Sequence, residues 1–262
     1  MMIVSGALLS TAQGASVNFA GYQFWTNGDA GLSGTDLELT PNAGSQAGTA
    51  FISVPYDLTG NPSFNVFFQF RIPGGTGGAD GITFMIQNDP DKYTALGAEG
   101  GSIGYETISN SLAVEFDTYQ NGNYSDPDDN HVGIDTNGNM ISLVTADPGF
   151  DINDGNSYYV WMDYDGTTNT LAVFVSTTNS KPATALITYT VDINSLIGNK
   201  AYIGFSAGTG AAANQHLIED FSISGLDAYN VAVPALDEWG VVLLALMLGS
   251  ISLIWIRKWR TE

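Results

Sequence analysis

The chain has 262 residues, a formal net charge of −20 and no cysteine. That excludes disulfides, thiolate metal sites and a cysteine nucleophile, and an acidic surface repels nucleic-acid phosphates and anionic lipid. Charged residues are only 13%, aromatic residues 11%, and glycines number 31, which describes a turn-rich all-β chain able to form a real core.

The opening residues, MMIVSGALLSTAQGAS, are apolar and then small, and Ala12-Gln13-Gly14 offers a small-x-small cleavage site. Residues 1–15 are therefore expected to be a signal-peptide-like segment. A basic n-region is missing, so it is atypical or begins upstream.

The body, residues 16–227, reads as a succession of strands. FNVFFQFRI (64–72) is apolar on both faces at several positions, which predicts a central strand. DGITFMIQND (80–89), SLAVEFDTY (111–119) and HVGIDTNG (131–138) follow. SYYVWMDYDGTTNTLAVFVS (157–176) predicts a hairpin turned at Asp165-Gly166. ALITYTVDI (185–193), AYIGFSAG (201–208) and HLIEDFSIS (216–224) complete the set, with His216 read as structural. Strands at this spacing, joined by Gly, Asn and Asp turns, predict one β-sandwich of the jelly-roll kind.

Residues 228–238 read as a linker with a sorting motif, and 239–262 as a transmembrane helix with a basic tail. From Trp239 to Ile256 every residue is apolar or small, and Arg257, Lys258 and Arg260 follow at once. Positive charge stays on the cytoplasmic side, which puts the preceding domain outside. Arg257, Lys258 and Arg260 offset Asp237, Glu238 and Glu262, so all of the −20 belongs to the part before Asp237. There the only bases are Arg71, Lys92, Lys181 and Lys200. Such a surface favours cations and neutral, polar partners.

The stretch VEFDTYQNGNYSDPDDNHVGID, from Val114 to Asp135, carries the chemistry. Alternation places Glu115 and Asp117 on one face of a strand, and Val114 and Phe116 on the other. On the returning strand His131, Gly133 and Asp135 share a face. The loop thus brings two strand acids, Asn121, Asp126 and His131 into one small volume. Oxygen ligands suit Ca²⁺; three carboxylates with one imidazole suit Mn²⁺ or a similar transition metal. Asp126-Pro127-Asp128-Asp129-Asn130 starts like an EF-hand loop, but His131 and Asn137 stand where Gly and Glu are needed.

The same stretch resembles the metal loop of legume-type (L-type) lectins without a gap. LELT and SQAGTAF (37–51) resemble that family's first strands, GADGITF (78–84) its Ala-Asp-Gly loop, EGGSIG (99–104) its Gly-rich loop, and AYIGFSAGTG with NQHLIEDFSISG its last strands. The resemblance implies a concanavalin-like jelly-roll sandwich that binds sugar without catalysis. It implies Glu115, Asp117, Asp126 and His131 as ligands of a transition metal such as Mn²⁺. It implies Asp117, the carbonyl of Tyr119, the Asn121 side chain and Asp126 as ligands of Ca²⁺. Asp80, after a cis bond from Ala79, would accept hydrogen bonds from sugar hydroxyls. Gly101, Asn121 and the backbone around Ala211 would complete the carbohydrate site. Tyr119 or Tyr124 could stack under the sugar ring.

The tail, Val-Pro-Ala-Leu-Asp-Glu-Trp-Gly, then helix, then basic end, resembles the IPTL-type C-terminal sorting signals of Gram-negative bacteria, with Val233 at the first position. This implies export to the cell envelope or surface and transient anchoring in the inner membrane. It also implies a sortase-like processing enzyme as a partner beside the glycans.

Two rival functions share the fold class. Laminarinase-like glycoside hydrolases carry E-x-D-x-x-E on one strand, but Gln120 stands at the last position here and cannot transfer a proton in that role. An envelope or biofilm-matrix sandwich without sugar binding would carry the same tail, although Asp80, Gly101 and Asn121 are all intact.

Overall fold

The computed structural model describes residues 14–74 and 78–225. Residues 1–13 of the expected leader, the expected linker and the expected transmembrane helix lie outside the described residues. Among the described residues no helix is long and apolar enough to cross a membrane.

The strands run as follows. β1 (Ala15–Phe19) and β2 (Tyr22–Gly28) form a hairpin, followed by β3 (Gly31–Ser33), β4 (Asp36–Thr40), β5 (Gln46–Ile52) and the short β6 (Tyr56–Asp57). β7 (Phe64–Arg71) and β8 (Gly81–Gln87) precede a long loop with two 3₁₀ turns, at Lys92–Thr94 and Gly100–Ser102. β9 (Ser111–Asp117) and β10 (His131–Thr136) flank the acidic loop. Next come β11 (Asn139–Ala146), β12 (Ser157–Asp165), β13 (Thr170–Ser176) and β14 (Ile187–Thr190). Helix α1 (Ile193–Ile197), β15 (Lys200–Thr209) and β16 (His216–Ile223) close the domain.

These strands build two antiparallel sheets. The first has the order β1-β2-β5-β15-β8-β9-β10-β11, with β6 added on β15, and the second β14-β13-β12-β7-β16-β4-β3. The core lies between them. Phe68 on β7 is fully buried and meets Phe205 at 5.2 Å, Phe116 at 5.7 Å and Phe84 at 5.9 Å between ring centroids, all from the opposite sheet. Each buried ring of this size contributes about 1.5–3 kcal/mol.

β8 and β9 are buried along their whole length. Their inner faces join the core; their outer faces lie under the 88–110 loop. Ile103 and Tyr105 of that loop cluster with Phe51, Met85, Ala113 and Met140. Tyr105 fastens it, its hydroxyl 2.9 Å from Ser111 Oγ and accepting from Gly138 N at 3.1 Å. A strand covered on both sides needs apolar residues at both phases, which accounts for GITFMIQ. It also places Glu115 and Asp117 under cover.

The segment expected to be central, β7, is central in its sheet, between β12 and β16. The hairpin at 157–176 is present, with Asp165 paired to Thr170. Two expectations needed correction. The strand predicted over 185–193 ends at Thr190, because Asp192 caps α1, its carboxylate accepting from Ser195 N at 2.9 Å. Strand β11 and the β1–β2 hairpin stand where no strand was expected. β11 pairs with β10 through a bulge.

Candidate metal and glycan site

β9 delivers the first two acids. Val114 and Phe116 enter the core, so Glu115 and Asp117 face the other way, where they are 1% and 2% exposed. On β10, His131 pairs with Asp117 and Gly133 with Glu115, which puts the imidazole on the same covered face. The loop then returns Asp126, and ligand atoms of Asp117, Asp126 and His131 lie within 4.8 Å of one another. Glu115 Oε1 is 3.4 Å from His131 Nε2. Gly133 makes the room: a Cβ there would stand 2.3 Å from Glu115 Oε1. Backbone donors hold the acids, Tyr119 N to Asp117 Oδ1 at 2.7 Å and Asn121 N to Asp126 Oδ2 at 2.6 Å.

A second group of residues meets beside the first. The Ala79–Asp80 bond is cis. Asp80 N donates to Gly208 O at 2.9 Å, and Thr118 N donates to Asp80 O at 3.0 Å, so this residue is sewn between β15 and the end of β9. Its carboxylate meets the N–H of Gly210 and the side chain of Asn121. Gly101 lies against Asn121 so closely that a Cβ would fall 2.5 Å from the carboxamide carbon. In the last loop the backbone against the Asp80 carboxylate is Gly210, where a Cβ would stand 3.4 Å from Oδ2; Ala211, next in the chain, is exposed. Of the two candidate stacking rings, Tyr119 is 43% exposed. Tyr124 packs against the outer cluster, and its hydroxyl is engaged with Ser102 and Glu106, each at 3.1 Å.

The electrostatics are severe. No Lys or Arg ion pair among the described residues reaches this cluster; Arg71 and Lys181 pair elsewhere. With no cation between the acids, burial and then the charge of Glu115 push Asp117 up to about 9. Burial alone would lower His131. The adjoining Glu115 carboxylate, 3.4 Å from Nε2, and the charges of Asp117 and Asp126 outweigh that and raise it to about 9. Burial raises Asp126, and raises Asp80 to about 6 against the opposing bonds from Gly210 and Asn121. His216 is the opposite case. It is fully buried, its Nδ1 lies 2.6 Å from Thr40 Oγ1, and burial lowers it to about 3, so it is a neutral core residue.

Comparison with known proteins decides the family. The legume lectin domain model matches residues 15–231. The chain belongs to the legume lectin family. A second model, the IPTL-CTERM motif, matches residues 231–258. Among curated relatives, the L-type lectin-domain containing receptor kinase VIII.1 of Arabidopsis thaliana is 35% identical over 75% of this chain, and VIII.2 is 34% identical over 75%. The chain spans only 29% and 30% of those two proteins. Among solved structures, a Bauhinia forficata lectin in complex with GalNAc aligns with a TM-score of 0.69 and 26% identity, covering 80% of this chain and 97% of that one. Basic winged bean lectin with Tn-antigen aligns with a TM-score of 0.67 and 30% identity, covering 80% and 98%. Carbohydrate binding is the property this legume lectin fold and family imply.

The legume lectins' ions, Ca²⁺ and Mn²⁺, can be tested against the residues present. Both ring nitrogens of His131, Asn121 Oδ1 and Asp80 Oδ2 are buried without a hydrogen-bond partner. Uncompensated buried polar atoms are costly, and here they converge with carboxylates that lack a basic partner. The donor set fits hard cations on the Asn121 side and a transition metal on the His131 side. Three neighbours went unweighed in the sequence. Asp128 Oδ1 is 3.4 Å from His131 Nδ1, placed to orient the ring for ligation through Nε2. Ser142 Oγ donates to Glu115 and, at 2.9 Å, to Asp135. The alternation of HVGID does place Asp135 on this face, whereas Ser142 arrives only through the bulge in β11.

Gly101→Ala provides a local test. The added methyl must displace the Asn121 carboxamide, an overpacking cost of about 1–3 kcal/mol. Glycan affinity by calorimetry should fall about tenfold or more, while the far-UV circular dichroism spectrum stays that of the parent.

Proposed function

We propose that the protein is an exported lectin that binds glycans without catalysis, at a shallow site shaped by Ca²⁺ and a transition metal such as Mn²⁺. The observation that carries this reading is the buried carboxylate–imidazole cluster without a basic counter-charge, directly beside Asp80, Gly210 and Asn121. Glu115, Asp117, Asp126 and His131 would hold the transition metal. Asp117, the Tyr119 carbonyl, Asn121 and Asp126 would hold Ca²⁺. The ions supply the positive charge that lets these acids stay ionised together. Asp80, once ionised, accepts hydrogen bonds from two hydroxyls. Gly101 and the loop at Gly210 and Ala211 offer backbone where a side chain would obstruct the sugar, and the exposed ring of Tyr119 stacks beneath it.

The hydrolase alternative has less support. Strand β9 ends at Asp117, and Gln120 lies in the loop, with its amide donating to the carbonyls of Asp126 at 3.2 Å and Pro127 at 3.1 Å. The proposed organisation is a leader over 1–15, the lectin sandwich over 16–227, a sorting linker over 228–238 and a membrane helix over 239–262. The IPTL-CTERM match supports export and envelope association. Anchoring in the inner membrane of a Gram-negative cell, with removal of the tail by a sortase-like enzyme, extends that reading.

The test is a glycan array probed before EDTA, after EDTA and after restoring both ions. Galactose and N-acetylgalactosamine structures come first, because related lectins were solved with GalNAc and with galactose. The lectin reading requires a signal that chelator removes and metal restores. A blank array with metals present would favour a structural envelope sandwich.

A further inference from the structure

The outer face of the seven-stranded sheet, β14-β13-β12-β7-β16-β4-β3, does not follow the usual polar-out pattern. Three aromatic rings lie directly across neighbouring strands: Phe67 on β7 pairs with Trp161 on β12, which pairs with Phe174 on β13. Their burial alternates with the core residues of the same strands, so they point away from the core and remain partly exposed. Tyr159 extends the row, its ring 6.5 Å from Trp161 and within 23° of parallel; Phe67 is 5.4 Å from Trp161. A shallow depression of about 430 Å³ opens here, lined by Asn65, Phe67, Trp161, Asp163, Lys181 and Ser224 among others. A second, of about 440 Å³, continues from Asn65 and Asp163 to Ser63, Thr168 and Thr170. Together they form an elongated trough with an aromatic floor at one end and hydroxyls at the other.

The aromatic end of the trough carries matched charges. Lys181 pairs with Asp163 and sits 4.3 Å above the Phe174 ring; Arg71 pairs with Glu219 and Asp36. Asp165, at the hydroxyl end, has no basic partner among the described residues, so the trough as a whole is mildly acidic, in keeping with a chain of charge −20. Such a face disfavours anionic partners and a second copy of so acidic a chain. Aromatic faces beside amides and hydroxyls suit an uncharged chain of pyranose rings.

We propose that this face is a second, metal-independent glycan platform, on which a neutral polysaccharide stacks against Trp161, Tyr159 and Phe67 and hydrogen-bonds to Asn65, Asp163 and Lys181. It lies on the other sheet from the Asp117 cluster, so one molecule could tether a cell-surface glycan to a matrix polysaccharide.

The test is affinity electrophoresis of the whole protein through gels containing laminarin, xylan, galactomannan or dextran, all with EDTA. Migration should be retarded by at least one of these polymers. Trp161→Ala and Tyr159→Ala, each shown by thermal melting to be folded, should each weaken the retardation about tenfold, and Asp117→Ala should leave it unchanged. No retardation in any gel would overturn the proposal, as would retardation that both aromatic variants retain. Sedimentation equilibrium showing a dimer that Trp161→Ala dissolves would overturn it too, and would assign the face to self-association.

Discussion

Replacing Asp117 by alanine should lower the melting temperature of the calcium- and manganese-loaded protein by about 5–20 °C, yet have no destabilising effect in EDTA. Asp117, like Asp126, belongs to both proposed ligand sets, so its loss removes both ions. An ion present at about a hundred times its dissociation constant stabilises the fold by about 2.7 kcal/mol, and each kcal/mol moves the midpoint of a domain this size by about 2–4 °C. The expected drop follows from one or two such contributions. With chelator the sign changes. Asp117 is then a buried acid, raised to about 9 by burial and by Glu115, and removing it relieves a cost. A purely packing role for Asp117 predicts equal losses in the two buffers. Scanning calorimetry of both proteins in both buffers separates the cases, and the variant should also give no signal on the glycan array.

The metal-stripped protein should become less stable as pH rises from about 5 to 9. Asp117 is raised from 3.8 to about 9, and His131 from 6.5 to about 9. Each group therefore binds its proton more tightly when folded than when unfolded. The native state carries more protons between the two sets of values, so the unfolding free energy falls as pH increases. For Asp117 the loss runs from about pH 4 to pH 9; for His131 it is confined to about pH 6.5 to 9. Ion binding must displace these protons, so metal affinity should climb across the same window. The reference histidine value alone places proton competition only below about pH 5–6. The buried acids around His131 move it to neutral pH and above. Thermal melts in EDTA at pH 5, 7 and 9 check this directly: a midpoint that rises toward pH 9 would show that these groups are not held as described. The ion-loaded protein should show the opposite trend.

Much of this architecture was readable because two periodicities are plain in the sequence. Alternation in VEFD and HVGID placed Glu115, Asp117 and His131 on a common face, and pairing of Asp117 with His131 brought them together. The covered side of that face was less readable. Residues 88–110 carry no strand or helix signal, yet Ile103 and Tyr105 turn an outer sheet face into a second core. That layer covers the same sheet face that carries the acids, whose burial without a base is the cost a bound cation would offset. Strand β11 was missed because its chemistry does not follow its alternating burial: Ile141 and Leu143 stand at exposed positions while Ser142 is partly covered. The end of β14 was open to a better reading: Asp192, three residues before Ser195, is a helix N-cap signal that the preceding run of Ile, Tyr and Val obscured. The off-phase Phe67 in FNVFFQF marked its strand as central, and it is also the residue that starts the aromatic row on the outer face.

Isothermal titration of the EDTA-stripped protein with Mn²⁺ and then Ca²⁺, in buffers of differing ionisation enthalpy, addresses the central claim most directly. Two ions per chain should bind, with proton release at pH 7 and with neither event in Asp117→Ala. Titrations that show no saturable binding of either ion, or binding that survives the loss of Asp117, would contradict it.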